Sequence, residues 1–403
     1  MIYNKDQEIT IRDGVDWFLN GSDQVFEFDG VAGTGKSVVL NAIVNQLHLK
    51  PYEIAPCAYT GAAALVMRMK GFKNAKSIHS TFFKIEKMKK EYTPSPFKSI
   101  NTEFNTEEYE YKFVPLNVGE LDHNIKLIVI DEGYMVPDFM SKEIEKHGVK
   151  VLVAGDSGQL PPIGGNPAYL CNPNIHHLNE IMRQAQGNPI IYLSERARLG
   201  LPINNGLYGN RVLVIDESEL TKEMVLGVGN IICCTNKTRD LFNNTIRNML
   251  GFDDNPLPGI GERIICRNNN WNIEHDNIAL ANGLQGYVTS PFDISKYSGA
   301  TYTLNFLPDL LETPFKNIEI NTEYILSPYD LRQQIKNNKF RKGELFEYAY
   351  AITCHVSQGS QYVGGIFYEE MLRHDIQKQL IYTGITRFSD YMIYVKRNRN
   401  KYY

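Results

Sequence analysis

The chain lacks several things. No apolar run in its 403 residues approaches the length of a membrane span. The opening residues, Met1-Ile2-Tyr3-Asn4-Lys5-Asp6, do not carry the pattern of a secretory leader. Together these absences predict a cytoplasmic protein with no membrane partner. Cysteine is sparse. The six residues, Cys57, Cys171, Cys233, Cys234, Cys266 and Cys354, include no C-x-x-C pair, and no histidine cluster completes a zinc site. Most lie in apolar, strand-like stretches, so buried thiols are expected rather than a disulfide framework. An excess of positive charge is also missing. The 42 Lys and Arg are outnumbered by 46 Asp and Glu, for a net charge of −4. The overall field therefore does not advertise a polyanionic partner, and any such binding must use a local groove. Basic clusters do occur, at Lys84, Lys87, Lys89 and Lys90, at Arg332, Lys336, Lys339, Arg341 and Lys342, and in the tail at Lys396, Arg397, Arg399 and Lys401. Taken alone, each reads as a solvated surface face. The composition is that of an ordinary globular protein, and the length predicts two or more domains.

Against this background one segment stands out. Gly30-Val31-Ala32-Gly33-Thr34-Gly35-Lys36-Ser37 spells G-x-x-x-x-G-K-[ST], the phosphate-binding P-loop. Gln24–Asp29 before it reads as a short strand, and Val38–Val44 after it as a helix. A glycine loop between strand and helix turns successive backbone N–H groups toward an anion, and the helix N-terminus adds partial positive charge there. Lys36 is placed to reach the β- and γ-phosphates of ATP, and the Ser37 hydroxyl to hold Mg²⁺.

Two further strands end in polar side chains. Leu127-Ile128-Val129-Ile130-Asp131-Glu132 is an apolar run closing on two carboxylates, the pattern of a buried parallel strand. Ligands sit at the C-terminal ends of such strands. Asp131 is therefore the candidate on the Mg²⁺ side, and Glu132 the candidate that polarises an attacking water. Lys150–Asp156 is the third strand and runs into Ser157-Gly158-Gln159-Leu160-Pro161-Pro162. The Gln159 amide can both donate to a γ-phosphate and orient water. The alternation of these strands with helical stretches predicts a doubly wound α/β parallel sheet.

The G-D-x-x-Q-L-P-P segment following D-E resembles motif III of superfamily 1 helicases, in the branch that contains RecD and the phage protein Dda. Other segments resemble that family's motifs in order. Asp6-Gln7 resembles the Q motif, whose glutamine reads adenine. Ala55–Ala64 resembles motif Ia, and Ser77–Phe82 the I-H-S/T element. Asn179–Gln184 resembles motif IV, which implies that Arg183 touches the γ-phosphate. Cys234–Arg239 matches the T-N-x-x-R segment of a second motor domain. Thr353–Gln361 resembles motif V, with Val356 where the family writes lysine. Tyr382–Arg387 resembles motif VI, with Gly384 where the family favours alanine. The resemblance makes Arg387 an arginine finger and Gly359 part of the nucleotide site. For Arg387, a surface ion pair with Asp390 is the alternative. A strand groove across both lobes would draw on Thr60, His79, Ser80, Asn236, His355 and Ser357. For the two histidines, a buried hydrogen-bonded ring is the alternative.

The resemblance implies two RecA-like motor domains in tandem with two inserts. The corresponding division is 1–83 and 122–182 for the first motor domain, 84–121 for a small pin-bearing insert, 183–286 and 346–403 for the second motor domain, and 287–345 for an SH3-like β insert. Phe97, Phe104 and Tyr109 are the candidates for an aromatic pin that wedges a duplex. The implied function is an ATP-dependent helicase that translocates 5′ to 3′ on single-stranded DNA and opens forked duplexes. It would act as a monomer in replication or recombination, alongside the proteins of those processes. An ATP-gated nucleic-acid-binding or assembly module and an RNA-directed motor are the alternatives.

Overall fold

The computed structural model describes residues 3–89, 109–182, 187–252, 254–276, 278–338, 341–370 and 376–397. Its first sheet has six strands in the order β3-β2-β6-β7-β1-β8, all parallel. They are β1 (Val25–Gly30), β2 (Ile54–Ala58), β3 (Lys76–Ser77), β6 (Leu127–Asp131), β7 (Lys150–Gly155) and β8 (His176–Leu178). The central strands show why they read as continuous apolar runs. Leu127 and Val129 join the core under helices Lys5–Asn20 and Lys36–Gln46, whereas Ile128 and Ile130 join the core on the opposite face, with Met140 and Ile144 of helix Asp138–Glu145. Successive side chains of a strand point to opposite faces, so a strand covered on both sides must be apolar at every position.

The second sheet also has six strands, in the order β19-β11-β20-β21-β10-β9. They are β9 (Gly206–Tyr208), β10 (Val212–Asp216), β11 (Ile231–Cys233), β19 (Ala351–Thr353), β20 (Tyr362–Tyr368) and β21 (Phe388–Lys396). All pairings are parallel except that of β9 with β10. Helices Pro189–Leu199 and Gln377–Ile385 cover one face, and helix Asn236–Met249 contributes Ile246 to the other. Cys57, Cys233, Cys234 and Cys354 are buried in these cores, Cys266 is buried in a further one, none is disulfide-bonded, and Cys171 is exposed.

A third, five-stranded antiparallel sheet has the order β17-β16-β15-β12-β18. It comprises β12 (Arg263–Cys266), β15 (Gln285–Val288), β16 (Thr301–Pro308), β17 (Phe315–Asn321) and β18 (Phe346–Tyr348). The sheet thus extends beyond the 287–345 segment assigned to the β insert. The reason is β12, whose Ile264, Ile265 and Cys266 have essentially no exposed surface. A strand buried in this way takes a partner on each edge, β15 on one and β18 on the other.

Two hairpins project from this frame. β4 (Phe83–Lys89) pairs with β5 (Tyr109–Pro115) from Phe83 opposite Pro115 out to Lys89 opposite Tyr109. Phe97 and Phe104 lie outside the described residues, as does the side chain of Tyr109. β13 (Asn270–His275) pairs with β14 (Ile278–Leu280). Among the described residues no helix is long and apolar enough to cross a membrane.

Candidate nucleotide cleft

The P-loop follows β1 and enters helix Lys36–Gln46 through Gly35, which caps the helix with φ at +83°. A side chain there would be strained, and a Cβ would lie 2.6 Å from Met182 Sδ and 2.8 Å from Gln7 Nε2. Gly33 is also left-handed, at +84°. Alternating left- and right-handed backbone of this kind makes an anion-binding concavity. The Lys36 ammonium donates to the Gly30 carbonyl at 2.6 Å and stands 3.7 Å from Asp156 Oδ2.

Because β7 lies between β1 and β6, the ends of all three strands open on one cleft of about 450 Å³. Gly33, Lys36, Ser37, Asp131, Glu132 and Gln159 line it from the first lobe, and Gly359 and Arg387 from the second. Asp131 Oδ1 accepts from the Glu132 N–H at 3.0 Å, and the Lys70 ammonium sits 3.6 Å from Oδ2. Glu132 has a left-handed backbone, φ +56°. That conformation is uncommon for a non-glycine residue.

The second lobe reaches into this cleft. Arg387 is 5% exposed and donates through Nη2 to Gln159 Oε1 at 3.1 Å, while Nη1 stands 3.9 Å from Glu132 Oε1. Gln159 Nε2 in turn points at Glu132 Oε2, 3.5 Å away. The alternative partner, Asp390, pairs instead with Arg211 at 2.7 Å. Four more bonds join the lobes. The Leu160 N–H donates to Thr383 Oγ1 at 3.0 Å, Gln358 Nε2 donates to the Leu160 carbonyl at 2.9 Å, and the Tyr382 hydroxyl donates to Asp156 Oδ2 at 2.6 Å. The Tyr382 oxygen also accepts from the Ala32 N–H of the P-loop at 3.0 Å. Burial, reinforced by the Asp156 charge, pushes the Tyr382 phenol well above its ordinary range, so it remains a donor. Sequence reasoning quoted Tyr382 within motif VI but gave it no role. Lys70 carried no signal at all, since only the turn after helix Gly61–Met69 brings it to Asp131.

Other sequence candidates have different surroundings. Gln7 is buried with both amide atoms engaged. Its oxygen accepts from the Asn4 N–H in a capping box, and its nitrogen donates to the Thr34 carbonyl of the P-loop at 2.9 Å. It thus fastens the first helix to the loop, and its amide is not presented to a base. Ser357 has no exposed surface and donates to the Cys354 carbonyl, so it offers no hydroxyl to a strand. The Asn236 side-chain oxygen, Oδ1, accepts from Arg239, whose guanidinium is itself bound to buried Glu347. Thr60 caps helix Gly61–Met69 by accepting from Ala63 N–H. The Ser80 hydroxyl donates to the Ser77 carbonyl. His79 and His355 are half-buried, and burial lowers both imidazole pKa values, which favours the neutral ring. Val356 packs against the second-lobe core. Gly384 has a comparable packing reason, since a Cβ there would lie 2.2 Å from the ring of Phe367. Arg183 lies outside the described residues, although its neighbour Met182 donates its N–H to the Gly33 carbonyl at 2.9 Å.

The family model AAA_30, an AAA domain, matches residues 3–211, just over half of the chain. The chain belongs to this AAA-domain family. The match covers the whole first sheet and the start of the second lobe. Similarity in solved structures extends further. Pif1 helicase from Bacteroides, in complex with ADP-AlF3 and ssDNA, aligns over 98% of this chain and 92% of its own, at a TM-score of 0.54 and 16% identity. Pif1 from Candida albicans aligns over 100% and 96%, also at 0.54, with 15% identity. The fold of this AAA-domain protein is therefore the two-lobed fold of the solved Pif1 helicase structures. Among curated relatives, the ATP-dependent RecD2 DNA helicase of Deinococcus radiodurans is 23% identical over 394 residues, which are 90% of this chain and 45% of that protein. An uncharacterised protein of Methanocaldococcus jannaschii is 25% identical over 441 residues, 89% of this chain and 35% of that protein. The chain thus spans less than half the length of these relatives.

Proposed function

We propose that the chain is an ATP-driven motor that moves 5′ to 3′ along single-stranded DNA and separates duplex strands at forks. The observation that carries this reading is Arg387, a second-lobe guanidinium bonded to Gln159 beside Glu132 in the P-loop cleft. Charge develops on the transferring γ-phosphoryl group, and an arginine placed there is worth roughly 10³–10⁵ in rate. Lys36 and the P-loop amides hold the phosphates. Ser37 and Asp131 offer the hard oxygen donors that Mg²⁺ takes, and the Lys70 ammonium beside Asp131 supports a cation position there. A cation held by these two residues would supply charge neutralisation to the phosphates. Glu132 takes a proton from the attacking water, and Gln159 orients that water and links it to Arg387. Because Arg387, Tyr382 and Thr383 come from the opposite lobe, a change at the phosphates changes how the lobes sit together.

The 5′-to-3′ direction rests on the resemblance to the RecD/Dda-like branch alone, and the DNA substrate on that resemblance together with the RecD2 DNA helicase relative and the ssDNA-bound Pif1 structure. The β4–β5 arm takes the part of the pin insert, and the antiparallel sheet that of the β insert.

The test is ATPase with and without single-stranded DNA or RNA, run beside unwinding of 5′- and 3′-tailed duplexes. Strand-stimulated turnover and unwinding of the 5′-tailed DNA are expected. Stimulation by RNA alone would redirect the motor to RNA, and stimulation without unwinding would make the chain an ATP-gated binding module. Lys36→Ala should abolish turnover while sparing much of strand binding, and full activity in that variant would remove the P-loop from the mechanism.

A further inference from the structure

A second cavity lies away from the nucleotide cleft. It is a groove of about 460 Å³ between the first lobe and the β13–β14 hairpin. One wall is built from helix Gly61–Met69, β3 and the start of β4, with Arg68, Lys76, Ser80 and Phe83 facing in; Trp271 and Glu274 stand on the other. At one end the walls touch so closely that a methyl on Gly61 would lie 2.2 Å from Ala281 Cβ.

Trp271 is the unusual element. The chain has two tryptophans. Trp17 is buried, with its indole N–H donating to the Asp23 carbonyl and the Lys150 ammonium 4.8 Å from its ring centre. Trp271 is only half-buried, joins no hydrophobic core, and among the described residues has no ring or cation partner. A half-buried indole on the groove wall leaves part of a large, rigid aromatic ring open to a ligand in the groove. The charge around it points to an anion. Arg68, Lys76 and Lys84 line the groove together with one carboxylate, that of Glu274. Arg68 Nε donates to the Ala75 carbonyl at 2.8 Å, and the Lys84 ammonium is shared with Glu120 at 2.6 Å and Glu86 at 3.0 Å, whereas Lys76 lines the groove with its side chain exposed. Aromatic faces beside phosphate-binding cations are how proteins hold unpaired bases without regard to sequence.

We propose that this groove binds one unpaired nucleobase of a single strand, stacked on Trp271, with the adjoining phosphate near Lys76. This rests on the nucleic-acid reading above and deepens it by assigning a base contact to the second lobe's hairpin. A duplex does not fit, because its bases are already stacked on each other.

Intrinsic fluorescence tests the assignment on the whole chain. A fluorescently labelled oligothymidylate reports strand binding by anisotropy, independently of tryptophan. Adding unlabelled strand to the wild-type protein should quench its tryptophan emission saturably, at the concentration where anisotropy reports binding. The same addition to Trp271→Phe should leave the remaining emission nearly unchanged. Trp271→Ala should weaken strand binding roughly five- to hundredfold, whereas Trp271→Phe, which keeps a stacking ring, should recover most of it. Equal thermal unfolding of the two variants would exclude misfolding as the cause. Strand binding without a change in tryptophan emission, or at full strength in Trp271→Ala, overturns the proposal and leaves the motor reading intact. Failure of the wild-type protein to bind any strand removes both.

Discussion

A guanidinium that is almost fully buried, and that spends one of its donors on a glutamine of the opposite lobe, has little reason to be there for surface solubility. Arg387 should therefore govern turnover rather than nucleotide capture. Arg387→Ala is expected to lower strand-stimulated ATP turnover on the order of a thousandfold or more, with binding of a fluorescent nucleotide nearly retained. Normal turnover in that variant would make the contact to Gln159 structural. Gly384, three residues earlier, sets two effects against each other. Alanine would improve helix propensity by up to about 1 kcal/mol. However, its methyl would be driven into Phe367, a ring with no exposed surface that stacks on Tyr394 at 5.3 Å. Overpacking of that kind costs about 1–3 kcal/mol, so Gly384→Ala should melt at lower temperature. A rise in melting temperature would mean that Phe367 can move aside. At this scale the gathering of side chains into one cleft was legible wherever a motif fixes their place, as at Lys36, Asp131, Glu132 and Gln159. It was not legible where tertiary partners decide, as for Gln7, which is taken up by the P-loop backbone, and Ser357, which is turned inward.

Among the elements, the parallel strands were easiest to read because burial on both faces leaves a continuous apolar run, as at Leu127–Ile130. The five-stranded sheet was harder. Glu262, just before β12, and Arg263, its first residue, are charges that suggest solvent, yet both are buried and paired. Glu262 accepts from Arg247 Nε at 2.6 Å and from the Gly259 N–H at 3.0 Å, and Arg263 is bonded to Asp309 at 2.6 Å. No local pattern reveals such partners, which come from 15 and 46 residues away. The Arg247–Glu262 pair ties helix Asn236–Met249 of the second lobe to the antiparallel sheet. Removing one member would leave the other charge buried and unpaired. Glu262→Ala should therefore destabilise the chain by about 3–5 kcal/mol in denaturant unfolding. A loss below about 1 kcal/mol, the usual worth of an exposed pair, would mean that water reaches Arg247.

For the molecule as a whole, the question is what carries information between cleft and strand. The bonds across the lobes centre on a short stretch, Tyr382 to Arg387, which meets the P-loop, Asp156, Gln159 and Leu160. Tyr382 touches the phosphate cradle itself, because its hydroxyl occupies the Ala32 N–H while it donates to the carboxylate beside Lys36. Any ligand that reorganises the P-loop must disturb this contact, and any movement of the second lobe pulls on it. Tyr382→Phe keeps the buried ring and deletes only the oxygen. If the hydroxyl transmits the coupling, the factor by which ATP changes strand affinity should shrink in the variant. By linkage, the factor by which strand changes ATP affinity must shrink equally. Titrating each ligand with the other absent and saturating measures both factors. Equal reductions would place Tyr382 in the link between the two ligands. Factors unchanged from the wild type would make its hydroxyl a passenger and shift the coupling to Gln358 and Thr383, whose bonds to Leu160 remain.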